Sequence, residues 1–346
     1  MSPIPHAFGR AGATAVVSVA LLSCGSPKHD EPTASRRIET IEEMVRRLGR
    51  GEPNLGRPEA SGRSNGSGRA EGSPPPAQEV AGRAFILRAI LARELFSGTT
   101  VADAQQLHTI AESEARRIAE GLVHASAWGF ATPAEKQFFI ASPASPTQPP
   151  IPIEGDPIEA IAVLLWALGQ TDRLPAFDRA VPPGGPLLDL IPHPHDGAGG
   201  ARFISDATLR PTAELRTARD AAEVWVLRSQ CEQVIRKRSF PQGDALDQQV
   251  RDLKAKAREL GAPIGPIRDG EGYFRELIAF VAWHAHKKGL TPAPIDGDLP
   301  VRGQSYAGAA KSHARLAKIA QDRERTLAWI VGERSALFDP TPPDAR

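Results

Sequence analysis

The sequence predicts an all-α protein: a single compact multi-helix domain behind a signal peptide and a flexible tether. Three observations predict it. Apolar residues recur at helical spacing from Gln78 almost to the end of the chain. Cap and first-turn signals open several of these segments in the right order. No run of alternating apolar and polar residues stands between hairpin turns, and no internal repeat of fixed period is present.

The elements follow in order. Val80, Ala84, Leu87, Leu91 and Leu95 make one apolar stripe. Thr100 with Asp103 forms a capping box ahead of a helix carrying Leu107, Ala111, Ile118 and Leu122. Thr132-Pro133-Ala134-Glu135 supplies a cap, a first-turn proline and an acid at the third helical position, and Asp156-Pro157-Ile158-Glu159 does the same. The helix that follows, Ile158 to Leu168, is apolar on nearly every side after Glu159 and is too short to span a bilayer, so it is expected at the centre of the core. Residues 174–204 are rich in Pro and Gly and read as a long loop. Helices are expected from Pro211 to Lys237, through Leu246 to Leu260, from Tyr273 to Lys288, and through Leu316 to Ile330.

Ahead of this domain the composition changes. Ala11 to Leu22 is mostly apolar and follows Arg10; in a helix it would span about 18 Å against roughly 30 Å of hydrocarbon, which suits a cleaved signal. Leu21-Leu22-Ser23-Cys24-Gly25 resembles the lipobox of bacterial lipoproteins. The resemblance implies diacylglycerol on the Cys24 sulfur, cleavage before it, and anchoring at a membrane surface, with the outer membrane favoured in a diderm cell because Gly25, and not Asp, follows. An ordinary secretory signal, or a start that is never exported, are the alternatives. Residues 24–77 read as a tether with one amphipathic helix (Ile38, Ile41, Val45, Leu48) and a Gly/Ser/Pro-rich linker from Ser61 to Pro76. The expected division is signal 1–23, tether 24–77, helical domain 78–336.

Charge and cysteine content narrow the function classes. Lys+Arg is 42 and Asp+Glu is 41, and the first 23 residues hold one Arg and no acid, so the processed chain is balanced. A balanced surface carries no electrostatic footprint for nucleic acid. Of the two cysteines, Cys24 is assigned to lipid, leaving Cys231 on an apolar helical stripe as a small buried hydrophobe with no disulfide partner.

The polar residues that could carry chemistry are few. Asp220, Glu223, Trp225 and Arg228 cluster on one helix, and two carboxylates three apart repel; buried together, one would be driven towards neutrality, as in acid–base sites. The alternative is ion pairing at i, i+4, Arg216 with Asp220 and Arg219 with Glu223. Glu159 is either a capping acid or a third member of such a site. His193-Pro194-His195-Asp196 lacks a third rigid ligand, so no metal is expected there. His284 and His286 point to different sides of one helix; His284 reads as a core histidine and His286 as a complement to the helix dipole. Asp296-Gly297-Asp298 lacks the remaining ligands of a calcium loop and reads as a tight turn. There is no phosphate loop, no serine elbow and no H-E-x-x-H, and no cofactor is expected.

Taken together, several segments resemble the bacterial family known as domain of unknown function 4272. They are Glu79-Val80-Ala81 with Arg83-Ala84, Thr132 to Glu135 with Phe138-Phe139, Glu159-Ala160 through Leu164 to Gly169, Leu174-Pro175, Leu209-Arg210-Pro211 with Glu214, Asp220 to Trp225, Asp296 to Pro300 with Gly303 and Tyr306, and Leu327 with Trp329. Asp156-Pro157-Ile158 replaces an aromatic-Arg pair, and Glu324 and Ala328 stand where His and Asn are common. The resemblance implies a compact, mainly helical domain and no particular activity. The expectation is a lipid-anchored envelope protein with a binding or structural role and an envelope component as partner; the alternatives are a hydrolase-like enzyme using Glu159, Asp220 and Glu223, or a cytoplasmic protein.

Overall fold

The computed structural model describes residues 73–95, 104–142 and 153–337. Cys24, the Ile38–Leu48 stripe and the Thr100/Asp103 box lie outside the described residues. Within them the fold is all-α, as the periodicity predicts. The helices are α1 (Ala77–Glu94), α2 (Ala104–His124), α3 (Pro133–Ile140), α4 (Pro157–Ala167), the single turn α5 (Pro186–Asp189), α6 (Gly197–Ser205), α7 (Thr212–Lys237), α8 (Asp244–Leu260), α9 (Gly270–Lys287) and α10 (His313–Ile330). None is long and apolar enough to cross a membrane.

Helix α4 sits at the centre. Asp156 caps it by accepting from the Ile158 N–H at 2.9 Å, and every residue from Ile158 to Ala167 is buried, Glu159 included. It packs between α1 and α10. Enclosed side chains such as Leu164 and Leu165 contribute about 1.5–3 kcal/mol each by leaving water. The longest contact is between α7 and α10, which run antiparallel: Arg219, early in α7, pairs with Glu333 just beyond the end of α10, while Glu232, late in α7, pairs with His313 at the start of α10.

Two departures from the sequence expectations matter. The Pro/Gly segment 174–204 is not a loop throughout, because α5 and α6 lie within or across it. Asp196 caps α6 through the Gly199 N–H at 2.8 Å, and a Cβ on Gly200 would come within 2.8 Å of the Ala125 Cβ and 2.7 Å of the Phe85 ring. Those glycines allow close packing while lowering helix propensity, which hides the helix from a reading by period. The second departure is a short antiparallel hairpin, Pro300–Val301 with Gln304–Ser305, turned by Arg302 and Gly303, both at positive φ. Two residues per strand are too few to give an alternating signal.

Candidate functional site

The acids singled out in the sequence stand at the α4, α7 and α10 contacts. Glu159 is 1% exposed and meets Arg323 of α10, itself 0% exposed, with Nε at 2.7 Å and Nη2 at 2.6 Å from Oε2. Its other oxygen accepts the Val181 N–H at 2.8 Å. Arg323 also donates to the carbonyls of Pro175 (2.6 Å) and Arg179 (3.0 Å), and lies 5.3 Å from the Phe177 ring centroid. Glu159 does not close a capping box, because the Asp156 N–H goes to Asp322 at 3.1 Å; with Arg323 it instead pins residues 175–181 onto the core. Burial is the main influence on Arg323 and lowers its pKa against the opposing pull of Glu159 and Asp178.

Arg219 gathers the second group. It bonds Glu223 at i, i+4, reaches Glu333 at 2.6 Å and lies 3.5 Å from Asp220. Burial alone would lower its pKa, but Glu223, Glu333, Glu324 and Asp220 outweigh that and raise it. The i, i+4 pairing read from the sequence forms for Arg219 with Glu223, whereas Asp220 is drawn to its neighbour Arg219, its side chain 45% exposed. Asp220 and Glu223 are thus brought together on one guanidinium, and Glu159 is held by another.

A third cluster was only partly legible. Asp298, read as a turn residue, does follow a turn: Ile295 and Asp298 exchange backbone hydrogen bonds at 2.9 Å around Asp296 and Gly297 at positive φ. Its side chain is also buried and takes Arg228 Nε at 2.6 Å and Nη2 at 2.8 Å, as well as the N–H groups of Leu299 (2.7 Å) and Ala307 (3.0 Å). Arg228 donates to Glu232 at 3.1 Å and stacks 4.3 Å from the Tyr306 centroid. Glu232 lies 3.3 Å from His313, whose ring is 4.8 Å from that of Tyr306, nearly parallel. Trp225 links the clusters, 6.2 Å from Tyr306 and 5.9 Å from Phe177, which carries Arg323 on its ring. Sequence reasoning missed Glu232 and His313; the i, i+4 spacing of Arg228 and Glu232 was the one available signal for Glu232.

Glu159, Arg323, Arg219, Glu223, Arg228 and Asp298 are buried against one another, whereas Asp220 keeps 45% of its side-chain surface exposed. Beside Arg228 and Cys231 lies an enclosed space of about 10 Å³, room for about one water molecule. Burial pushes the Cys231 thiol up to about 12 and the Tyr306 hydroxyl likewise to about 12, so neither is primed as a nucleophile or acid near neutrality. A fourth buried pair, Arg83 with Glu135, is bidentate at 2.6 Å for both bonds; Glu135 also completes the Thr132 capping box by accepting the Thr132 N–H at 2.7 Å.

Among the described residues, no three His, Cys, Asp or Glu side chains converge as metal ligands would. His193 and His195 meet edge to face at 4.5 Å, and His195 reaches Glu114 at 3.0 Å. His284 is buried, parallel to Phe280, and His286 is exposed near the end of α9.

A family model described as domain of unknown function (DUF4272) matches residues 67–250. No curated protein and no solved structure matches the chain. The matched stretch holds Glu159, Asp220, Glu223 and Arg228, whereas Arg323, Glu333 and Asp298 lie beyond it, as do the similar segments after residue 250.

Proposed function

The chain belongs to the DUF4272 family, and from that premise we propose that it is a lipid-anchored protein of the bacterial cell envelope whose helical domain serves a binding or structural role. One observation carries the role: Glu159 and Glu223 are buried and already committed to arginines, Glu159 to Arg323 and Glu223 to Arg219. A carboxylate with its lone pairs engaged by a guanidinium and a backbone N–H has little capacity left to move a substrate proton. The address rests on the short apolar segment and on Leu21-Leu22-Ser23-Cys24. In this reading residues 1–23 are removed, Cys24 carries the acyl chains, residues 24–77 form the spacer and residues 78–336 fold as the domain. Two or more chains give stable anchoring where one gives marginal binding.

The test is metabolic labelling with radioactive palmitate followed by membrane fractionation. Label on the wild type, none on Cys24→Ala, and the wild type in the membrane fraction are expected. An unlabelled wild-type chain in the soluble fraction would overturn the address.

A further inference from the structure

The chain holds three Asp-Gly steps: Asp196-Gly197, Asp269-Gly270 and Asp296-Gly297. Such a step is open to a spontaneous cyclisation, because a glycine has no Cβ to crowd its own amide nitrogen as that nitrogen turns on the preceding carboxyl. The structure separates the three. Asp196 and Asp269 cap α6 and α9, accepting the N–H of Gly199 at 2.8 Å and of Gly272 at 2.7 Å. The glycine after each is buried: a Cβ on Gly197 would meet the His124 Cβ at 2.4 Å, and one on Gly270 the Phe240 Cβ at 2.4 Å.

Asp296-Gly297 is placed differently. Both residues are exposed and form the two-residue loop between Ile295 and Asp298, at φ 52° and 75°, the pattern of a type I′ turn. The paired backbone bonds run between Ile295 and Asp298 and do not engage the Gly297 N–H. A Cβ built on Gly297 would meet only the Ala279 methyl, at 3.5 Å, an ordinary packing distance. Neither reacting group has to leave a helix cap or a packed contact to reach the other.

We propose that Asp296-Gly297 is a site of spontaneous succinimide and isoaspartate formation, and that conversion there loosens the Arg228–Asp298 pair. With the carboxyl protonated, the Gly297 nitrogen attacks Cγ of Asp296; the N–Cγ bond forms, and the hydroxyl leaves with the amide proton as water. A second water then opens the ring. Attack at Cγ restores aspartate, whereas attack at the main-chain carbonyl breaks the old peptide bond and leaves the chain running through Cγ as isoaspartate. That route adds one methylene to the loop, whose length sets the pairing of Ile295 with Asp298. Asp298 is the residue whose side chain holds Arg228 and the N–H groups of Leu299 and Ala307. The proposal rests on neither the lipid anchor nor the binding role.

The test holds the purified full chain in heavy-oxygen water at physiological temperature and mildly acid pH, then maps it by mass spectrometry. Each ring opening leaves one heavy oxygen on the residue. Label at Asp296 should exceed that at Asp196 or Asp269 at least about fivefold, because the caps of those two must open first. In guanidinium the three should label alike. Equal labelling in the native chain, or label at Asp296 only after unfolding, would overturn the site. Chain carrying isoaspartate at position 296, separated by chromatography, should melt about 2–4 °C below unconverted chain. Asp296→Gly keeps a residue suited to positive φ, cannot cyclise, and should melt alike before and after incubation. In an Asp298→Asn background, where the pair is already weakened, conversion should lower the melting temperature less. An undiminished drop in that background, no drop in wild type, or an equal loss in incubated Asp296→Gly would overturn the link to Arg228.

Discussion

Asp298 accepts both Nε and Nη2 of Arg228, at 2.6 and 2.8 Å, across 70 positions of sequence. The pair ties the turn after α9 to the middle of α7 and presents the Tyr306 ring to the guanidinium. Removing one member of such a pair strands the other as an uncompensated buried charge, which costs more than the intact pair contributes. Asp298→Ala is expected to lose about 3–5 kcal/mol of unfolding free energy in urea. Arg228→Met/Asp298→Ala together should lose less than the sum of the two single changes. Additive losses would show that the two groups do not interact.

The family match ends at residue 250, but the groups that neutralise its buried charges do not. A chain truncated after Val250 lacks Arg323, Asp298 and Glu333, so Glu159 loses its guanidinium and Arg228 keeps Glu232 but loses its bidentate Asp298. It is expected to show no cooperative thermal transition by circular dichroism, whereas residues 73–337 should melt in one. A cooperative melt of the shorter chain would mean that the matched stretch is itself the folding unit.

Cys231 is buried, and desolvation is the first cause of its raised pKa of about 12. At pH 8 the thiolate fraction is then on the order of 10⁻⁴. In a Cys24→Ala background the native chain should resist Ellman's reagent, then release one equivalent once guanidinium unfolds it. Rapid stoichiometric reaction of the native chain would place the thiol at the surface.

His193 and His195 both have lowered pKa values, burial being the first cause. For His193 the neighbouring His195, Arg88 and Arg117 add to this while Glu114 opposes it; for His195, Arg117 adds and Glu114 opposes. A folded pKa below the usual 6.5 means the folded state prefers the neutral ring. The contribution is complete above about pH 6.5 and is lost as pH falls through the folded values. His193 is exposed while His195 keeps 20% of its side-chain surface, so solvent screens the first more than the second and the effect should be small. Urea midpoints at pH 7.5 and 5.5 should fall less in His193→Gln/His195→Gln than in wild type. Parallel falls would assign the acid sensitivity elsewhere.

The helices were legible because a buried face leaves a period: Ile158 to Leu168 announced the central helix through unbroken apolarity, and Thr132 and Asp156 marked two helix starts that the structure places there. Helix α6 was hidden because Gly197, Gly199 and Gly200, which let it pack, are poor helix formers. The pairing of Arg219 with Glu223 could be read because its spacing lies within one helix. Glu159 with Arg323 and Arg228 with Asp298 could not, because 164 and 70 residues separate the partners and each pairing depends on how the helices come together.

The central claim is that Glu159 belongs to the architecture and is not held ready for chemistry. A double-mutant cycle over Glu159→Gln and Arg323→Gln, followed by urea unfolding, tests it most directly. A coupling of about 2 kcal/mol or more, with each single change strongly destabilising, is the predicted result. A Glu159→Gln chain as stable as wild type, with no coupling to Arg323, would contradict it.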